Sequence, residues 1–278
     1  MSPYLRRMTD GPDLDAYFAR IGWDGPRDPT LETLQGIVLA HAKTIPFENL
    51  NPFLGLPVRL DLETLQAKLV HGGRGGYCFE QNGLLLAVLR AMGFEVTGLI
   101  GRVIWNQPIE TITARSHMII RVALGDADRI VDIGFGGGTL TGVLALTPGV
   151  EQATPHEPFR LVDEGGGSLR EEVLIRDAWR ATYRFDLTPQ NAIDYEVSNH
   201  FTSTHPNSHF LHTLIAARVD DGRRHTLRGL DLTTHHLGGD SEHRALASPA
   251  EVETVLEEVF GIALPERDRL REKLERLF

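Results

Sequence analysis

One cysteine stands out as a possible nucleophile in a chain of 278 residues. Cys78 is the only cysteine, and it follows two glycines and a tyrosine. An apolar helical pattern begins just after it and stops at Gly93. The pattern predicts that Cys78 lies at a helix N-terminus, where free N–H groups and the helix dipole favour a thiolate. A buried cysteine that only fills space is the alternative, and Cys78 alone does not decide between them.

Two further residues supply the partners that a nucleophilic cysteine needs. His117 lies in a strand-like run over 114–122, and Asp132 lies in a second such run that leads into glycines. An aspartate in the middle of an apolar strand is costly unless it is paired. An imidazole can take the thiol proton, while a carboxylate orients the ring and stabilises its charged form. Together with Cys78, whose backbone N–H could bind an oxyanion, the set predicts acyl transfer.

The first third of the chain must position Cys78, and its pattern is helical. Asp13, Thr30 and Asp61 each precede an apolar helical pattern and are predicted as N-caps. Segment 45–57 carries three prolines and is predicted as a structured loop rather than a helix. Within it, Phe47 either lines an aromatic pocket or packs in the core.

From Glu95 the apolar period changes from helical to alternating. Strands are predicted over 96–105, 116–124, 129–133, 159–162, 171–175 and 179–185. A barrel-like sheet is the simplest arrangement. In it, His117 and Asp132 can leave their strands toward a common site while their neighbours fill a core.

The last third of the chain mixes helical and alternating apolar patterns. A helix is predicted to open at Thr188-Pro189, a hairpin to turn at Asp221-Gly222, and a helix to follow the cap Ser248. Helices come first, then strands, then mixed elements. This order predicts an α+β fold rather than alternating βα units.

Several segments together resemble the arylamine N-acetyltransferases. They lie in the expected order at 45–50, 74–82, 116–117, 131–137 and 203–208, and the resemblance covers essentially the whole chain. The stretch around the cysteine, RGGYCFEQN, is long enough to be specific. The resemblance implies a cysteine-protease-like Cys-His-Asp core within three domains. These are an N-terminal helical bundle (1–94), a central β-barrel (95–187) and a C-terminal α/β lid (188–278).

The resemblance also implies a reaction. Cys78 accepts an acetyl group from acetyl-CoA, His117 acts as the base, and Asp132 orients His117. The acetyl group then passes to the nitrogen of an arylamine, arylhydroxylamine or hydrazine in a ping-pong mechanism. Acetyl-CoA is a donor substrate, and no permanently bound cofactor is expected.

Contacts with the substrates follow from the same resemblance. It implies that Phe135 and Gly136 form part of the active-site wall and the coenzyme A cleft. It further implies that Ser116, His200 and Phe201 face the donor. By pattern alone, His200 is also compatible with an ordinary position on a helix surface.

Three alternatives share this residue set. An amide synthase of the same fold would close a macrolactam from a carrier-bound acyl chain, and a test with acetyl-CoA separates it. A papain-like or transglutaminase-like hydrolase would act on peptides without coenzyme A. A non-catalytic binding protein of the same fold would have an unreactive Cys78.

Composition excludes other classes. The net charge of −10 and the lack of a basic stripe argue against a nucleic-acid partner, and local basic groups or amides must hold the anionic coenzyme A. No apolar run is long enough to span a membrane. The N-terminus lacks a signal-peptide core, and a single cysteine suits a reducing compartment. We therefore expect a cytoplasmic protein. It is expected to be a monomer or a homodimer, and the sequence does not distinguish these two states.

Two other segments suggest a dinucleotide-binding loop and a metal site, but neither matches the required pattern. The glycines at 134–138 do not complete a dinucleotide-binding pattern, because position 139 is threonine. The adjacent His235 and His236 would point to opposite faces of a strand, and no H-E-x-x-H motif occurs. No bound metal is expected.

Overall fold

The computed structural model describes residues 11–125 and 127–278. Residues 1–10, on which the prediction of a missing signal peptide rests, lie outside the described residues. Helices occupy the first third, a large antiparallel sheet follows, and a second sheet with helices completes the chain. The predicted α+β class is confirmed. No helix within the described ranges has the length and apolar character needed to cross a bilayer.

The N-terminal helices begin where the capping residues predict. Asp13, Thr30 and Asp61 each accept a hydrogen bond from the backbone N–H three residues later. These helices are α1 (Leu14–Ile21), α2 (Leu31–Thr44), α3 (Leu50–Phe53), α4 (Leu62–Leu65), which continues as a π-helical segment (Gln66–His71), and α5 (Cys78–Ala91).

The predicted loop over 45–57 is wrong in part. It contains a two-residue strand, β1 (Phe47–Glu48), and the one-turn helix α3. Pro52 is compatible with α3 because the N–H groups of a first turn have no partner within the helix. The Glu48 carboxylate accepts the Leu50 N–H at 2.6 Å and thereby holds the start of α3.

The large sheet forms the predicted barrel. Its strands are β2 (Glu95–Val103), β3 (Arg115–Leu124), β4 (Ala127–Val131), β5 (Leu144–Ala145), β6 (Glu151–Gln152), β7 (Phe159–Gly165), β8 (Ser168–Ile175) and β9 (Ala178–Asp186). Their order is β5-β4-β3-β2-β9-β8-β7-β6. The Gln152 side chain accepts from the Ala145 N–H at 2.7 Å and donates to the Ala145 carbonyl at 2.9 Å. This side chain links the two edge strands, so the barrel is nearly closed.

The placement of Asp132 inside a strand is also wrong. β4 ends at Val131, and Asp132 is the first residue beyond it. The Asp132 carboxylate accepts the Gly134 N–H at 2.9 Å. This local bond gives the chain an alternative to the sheet ladder, and the strand ends there.

The second sheet joins distant parts of the chain. The C-terminal elements are α6 (Ala192–Thr204), β10 (Ile215–Asp220), β11 (Arg223–Arg228), β12 (Asp231–His236), β13 (Ser241–Ala245), α7 (Pro249–Glu258) and α8 (Arg267–Glu275). The strand order is β1-β10-β11-β12-β13, so a strand from the helical third pairs with the C-terminal third. The predicted start of α6 at Thr188-Pro189 is wrong, because Asn191 caps the helix and its N–H bonds the Asp194 carboxylate at 2.8 Å.

The core has separate parts that meet at Cys78. One part packs α1, α2 and α5 against the outer face of β3 and β4, and another fills the barrel. A third packs α7 and α8 on the second sheet. A smaller apolar cluster contains Cys78 with Phe47, Met118 and Ala217, which come from different elements. Cys78 therefore lies where the helices, the barrel and the second sheet meet.

Candidate active site

Cys78 is the first residue of α5, as predicted. The preceding residue, Tyr77, has extended backbone geometry, and its N–H donates to the Glu80 carboxylate at 3.2 Å. The free N–H groups of the first helical turn place the positive end of the helix dipole beside the sulfur. The Cys78 side chain is buried, and Sγ lies 3.5 Å from the Ser116 carbonyl oxygen.

His117 and Asp132 form a buried pair beside that sulfur. His117 Nε2 lies 2.6 Å from Asp132 Oδ2, and both residues are almost fully buried. The Cys78 side chain lies beside this pair, because Sγ contacts the carbonyl of the residue before His117 and both side chains line one cleft. Burial disfavours the protonated ring, but the Asp132 carboxylate outweighs it, with a further contribution from Cys78, and raises the pKa of His117 well above its usual value. The arrangement therefore favours an imidazolium between a carboxylate and a sulfur.

Asp132 is held by two more donors. Asn82 Nδ2 donates to Asp132 Oδ1 at 2.8 Å, and the Gly134 N–H donates to the same oxygen at 2.9 Å. Asn82 also donates to the Met118 carbonyl at 2.7 Å and accepts the Ile133 N–H at 3.1 Å. Sequence reasoning assigned no role to Asn82. Its position four residues after Cys78, on the same face of α5, was the available signal.

Gly134 is the point where the glycine-rich segment approaches α5. A Cβ atom at Gly134 would lie 2.6 Å from Cys78 Cα and 3.1 Å from Cys78 Cβ. Real Cβ atoms do not approach so closely, so glycine is needed here for the segment after Asp132 to pass the nucleophile.

A cleft of about 1010 Å³ reaches Cys78 and His117. Four of the predicted contact residues line it: Phe47, Ser116, Phe135 and Gly136. Two aromatic residues that sequence reasoning missed, Trp105 and Phe210, also line it. The Phe135 ring meets the His117 ring edge-on at 5.3 Å, and Phe210 stacks on Tyr77 at 5.4 Å. Aromatic surface thus surrounds the entrance to the sulfur.

The other two predicted contact residues lie elsewhere. His200 and Phe201 are exposed on α6 and do not line the cleft. The helix buries Tyr195, Asn199 and Thr202, which share the opposite face. Because successive residues of a helix point in different directions, His200 and Phe201 turn toward solvent.

Basic side chains also line the cleft. They are Arg176, His209, Arg224, Arg228, His235 and His236. Arg224 already has protein partners in the wall of the cleft. Its guanidinium pairs with Glu157 at 2.7 Å and donates to the Thr139 carbonyl at 2.8 Å. Within residues 11–125 and 127–278, no three or more His, Cys, Asp and Glu side chains come together as a metal site would require.

Comparisons with known families and known proteins give one consistent result. A family model described as N-acetyltransferase matches residues 30–269. An arylamine N-acetyltransferase of Mycolicibacterium smegmatis is 46% identical over 256 residues, which is 91% of this chain and 92% of that protein.

Solved structures extend the similarity to the whole fold. The arylamine N-acetyltransferase of M. tuberculosis superposes with a TM-score of 0.91 at 41% identity, covering 94% of this chain and 99% of that one. The arylamine N-acetyltransferase of Mycobacterium marinum, solved in complex with CoA, gives a TM-score of 0.91 at 41% identity and covers 95% and 99%. With the family model, the relatives and the fold in agreement, the chain belongs to the arylamine N-acetyltransferase family.

Proposed function

We propose that this enzyme moves an acetyl group from acetyl-CoA to the nitrogen of an arylamine, arylhydroxylamine or hydrazine by way of an acetyl-Cys78 intermediate. The observation that carries the proposal is the contact of Cys78, His117 and Asp132 at the cleft. Family membership supplies the donor and acceptor classes. In this proposal residues 1–94 supply the nucleophile, 95–187 supply the base and its carboxylate, and 188–278 cover the cleft.

The first half-reaction acetylates the enzyme. The Cys78 thiolate attacks the thioester carbon of acetyl-CoA, and the negative charge of the tetrahedral intermediate develops near the N-terminus of α5. The carbon–sulfur bond to coenzyme A breaks, and the His117 imidazolium donates its proton to the departing thiolate. Asp132 keeps the ring oriented throughout.

The second half-reaction releases the acetyl group. The amine nitrogen attacks the carbonyl carbon of acetyl-Cys78, and neutral His117 accepts a proton from that nitrogen. The bond to the Cys78 sulfur then breaks and the thiolate–imidazolium pair is restored. Each half-reaction exchanges the acetyl group between the sulfur and one substrate, so ping-pong kinetics follow.

The lining of the cleft supports an aromatic acceptor. Phe47, Trp105, Phe135 and Phe210 present apolar faces near the sulfur. Flat aromatic ligands gain contact area and ring–ring interactions against such walls. An amine carried by an aromatic ring would therefore be held with its nitrogen toward acetyl-Cys78.

The basic lining supports an anionic donor. The chain as a whole has a net charge of −10, which repels a polyphosphate at long range. Arg176, Arg228 and His235 line the same cleft as Cys78. Their charges or N–H groups can hold phosphates while the thioester reaches Cys78.

Intact mass after mixing the enzyme with acetyl-CoA and no acceptor tests the proposal. The expected result is one added acetyl group, blocked by prior alkylation of Cys78, together with release of free coenzyme A. The Cys78→Ser variant serves as the matched control. Unchanged mass without release of free coenzyme A would overturn acetyl-CoA as the donor and favour a carrier-fed amide synthase.

A further inference from the structure

A buried carboxyl group lies inside the barrel without a role in the proposed reaction. Glu171 is on β8, paired directly across from Tyr183 on β9, and is 1% exposed. Its strand neighbours two positions away, Leu169 and Val173, belong to the apolar core of the barrel. A carboxyl group in such surroundings is costly unless its oxygens are used.

Glu171 differs from the next residue along the strand. Glu172 forms ion pairs with Arg160 and Arg170 at 2.6 and 3.0 Å. Within the described ranges, no ion pair of 4.0 Å or less joins Glu171 to a basic side chain. Its partners are two hydroxyl groups: Tyr183 Oη lies 2.7 Å from Oε2, and Thr182 Oγ1 lies 3.0 Å from Oε1.

Tyr183 connects Glu171 to the candidate triad. Its ring packs against the His117 ring with centroids 4.8 Å apart. Its hydroxyl lies 2.7 Å from Glu171 Oε2. Burial, together with the carboxyl groups of Glu171 and Asp132, raises the pKa of Tyr183 far above its usual value. The phenol therefore keeps its proton, and it lies between Glu171, which it contacts directly, and the His117 ring that is bonded to Asp132.

One phenolic proton cannot serve two carboxylates. Asp132 already accepts hydrogen bonds from His117, Asn82 and the Gly134 N–H. Glu171 has no comparable set of donors. The arrangement satisfies every group if Glu171 carries a proton and donates it to the Tyr183 oxygen, because Tyr183 can then donate to Asp132.

We propose that Glu171 is a positioning residue for acetyl transfer, which in its neutral form turns the Tyr183 hydroxyl toward Asp132 and so holds that carboxylate against His117. The proposal rests on the proposed function for the reaction it serves. The hydrogen bonds that it invokes involve only Glu171, Tyr183 and the Asp132–His117 pair.

The ionisation of Glu171 agrees with this arrangement. Burial raises its pKa to about 8, and the negative charge of Asp132 adds to the effect. The hydroxyls of Tyr183 and Thr182 and the charge of His117 act in the opposite direction. At neutral pH the carboxyl group is therefore mostly protonated. Above that range it ionises and accepts a hydrogen bond from the Tyr183 hydroxyl, which leaves Asp132 without this donor.

Matched variants separate donation by Glu171 from simple filling of space. Glu171→Gln keeps a donor toward Tyr183 and an acceptor toward Thr182 but cannot ionise. Glu171→Met fills similar volume without a donor. Tyr183→Phe removes the connecting hydroxyl, and Glu172→Gln is the control on the same strand.

Two readouts are measured for each variant. The first is the rate at which iodoacetamide alkylates Cys78 at pH 7, which needs no substrate. The second is kcat and KM for acetyl transfer from acetyl-CoA between pH 6 and 9.5. Circular dichroism and thermal unfolding establish that each variant is folded.

The expected pattern is specific. Glu171→Met should slow alkylation and kcat by about 10-fold, the effect of one lost buried hydrogen bond, with KM for acetyl-CoA unchanged. In a Tyr183→Phe background the same substitution should add nothing. The wild type should lose kcat above about pH 8, as Glu171 ionises. Glu171→Gln should match the wild type at pH 7 and lack this fall. Glu172→Gln should match the wild type throughout.

Several outcomes would overturn the proposal. Wild-type alkylation and kcat in folded Glu171→Met would remove the positioning role. Glu171→Gln as slow as Glu171→Met would mean that charge, not donation, is required. If Glu171→Met does not fold, the pH dependence of Glu171→Gln decides. A kcat of Glu171→Gln that falls above about pH 8 as in the wild type would overturn the proposal. The expected alkylation pattern in an enzyme that transfers no acetyl group would instead reject the proposed function and keep the role of Glu171.

Discussion

Asn82 donates a hydrogen bond of 2.8 Å to Asp132, across 50 residues of sequence. Asn82 follows Cys78 by one turn of α5, whereas Asp132 follows β4. The bond therefore fixes the carboxylate of the candidate triad to the helix that carries the nucleophile. Any change that loosens this connection should alter the distance between the sulfur and the base, and the rate with it.

Replacing Asn82 by alanine tests that connection. Loss of a buried hydrogen bond to a carboxylate is worth about 1–3 kcal/mol, so we expect Asn82→Ala to lower kcat by about 10- to 100-fold. Steady-state acetyl transfer measures the effect, with folding checked by circular dichroism. The exposed Asn207→Ala is the control. A folded Asn82→Ala enzyme with wild-type kcat would show that Asp132 is held adequately without it.

Replacing Asp132 by asparagine tests the carboxylate itself. The amide keeps the shape of the side chain but cannot stabilise the His117 imidazolium, so kcat should fall by about 1,000-fold or more. The secondary structure should survive, as judged by circular dichroism. Near-normal turnover in the folded variant would remove Asp132 from the catalytic set.

Adding one methyl group at Gly134 tests the close approach to Cys78. The new Cβ would lie 2.6 Å from Cys78 Cα, so the segment must move and activity should fall at least 10-fold. Gly83→Ala on α5, the helix that carries Cys78, is the control. Its Cβ would have an ordinary contact at 3.4 Å, and alanine favours a helix by about 1 kcal/mol. Equal activity of both variants would contradict the close-approach argument.

Shortening Phe210 tests the aromatic acceptor site. Phe210 lines the cleft and stacks on Tyr77, so Phe210→Leu should raise KM for an aromatic amine several-fold. The rate of acetylation of Cys78 by acetyl-CoA should not change. Phe201→Leu on the exposed side of α6 is the matched control. A rise in KM for acetyl-CoA in that control would support the donor contact that the family resemblance implies for Phe201.

Protonation of His41 should weaken the fold in acid. His41 is fully buried between Tyr17 and Gln81, at 2.7 Å from each. Burial, which outweighs the Gln81 hydrogen bond, lowers the pKa of His41 to about 4, with a further lowering by the charge of Arg20. The unfolded chain titrates near 6.5, so between about pH 6.5 and 4 it binds more protons than the folded chain. The stability that neutral His41 contributes is present above this window and is lost as the pH falls through it.

Urea unfolding of the wild type and His41→Asn across this window measures that contribution. The difference in unfolding free energy should shrink toward pH 4 by at most roughly 3 kcal/mol. A difference that is independent of pH would mean that His41 does not titrate with folding.

Local signals in the sequence predicted much of the frame around the site. Asp13, Thr30 and Asp61 cap the helices as expected, and the hairpin turns at Asp221-Gly222. These features depend on hydrogen bonds and backbone angles within a few residues, which neighbouring side chains determine. The start of a helix at Cys78 belongs to the same class.

By itself, the sequence determined the helix starts at Asp13, Thr30 and Asp61, the change from helical to alternating apolar period, and the family whose motifs the chain carries. Tertiary structure alone decided that Asn82 bonds to Asp132, that the Glu171 carboxyl group bonds to the Tyr183 hydroxyl, and that His200 faces solvent. These relations join residues that are far apart in sequence, or depend on which face of a helix meets a neighbour. Residue type and spacing do not encode them, because they arise only when packed elements bring distant side chains within hydrogen-bond distance.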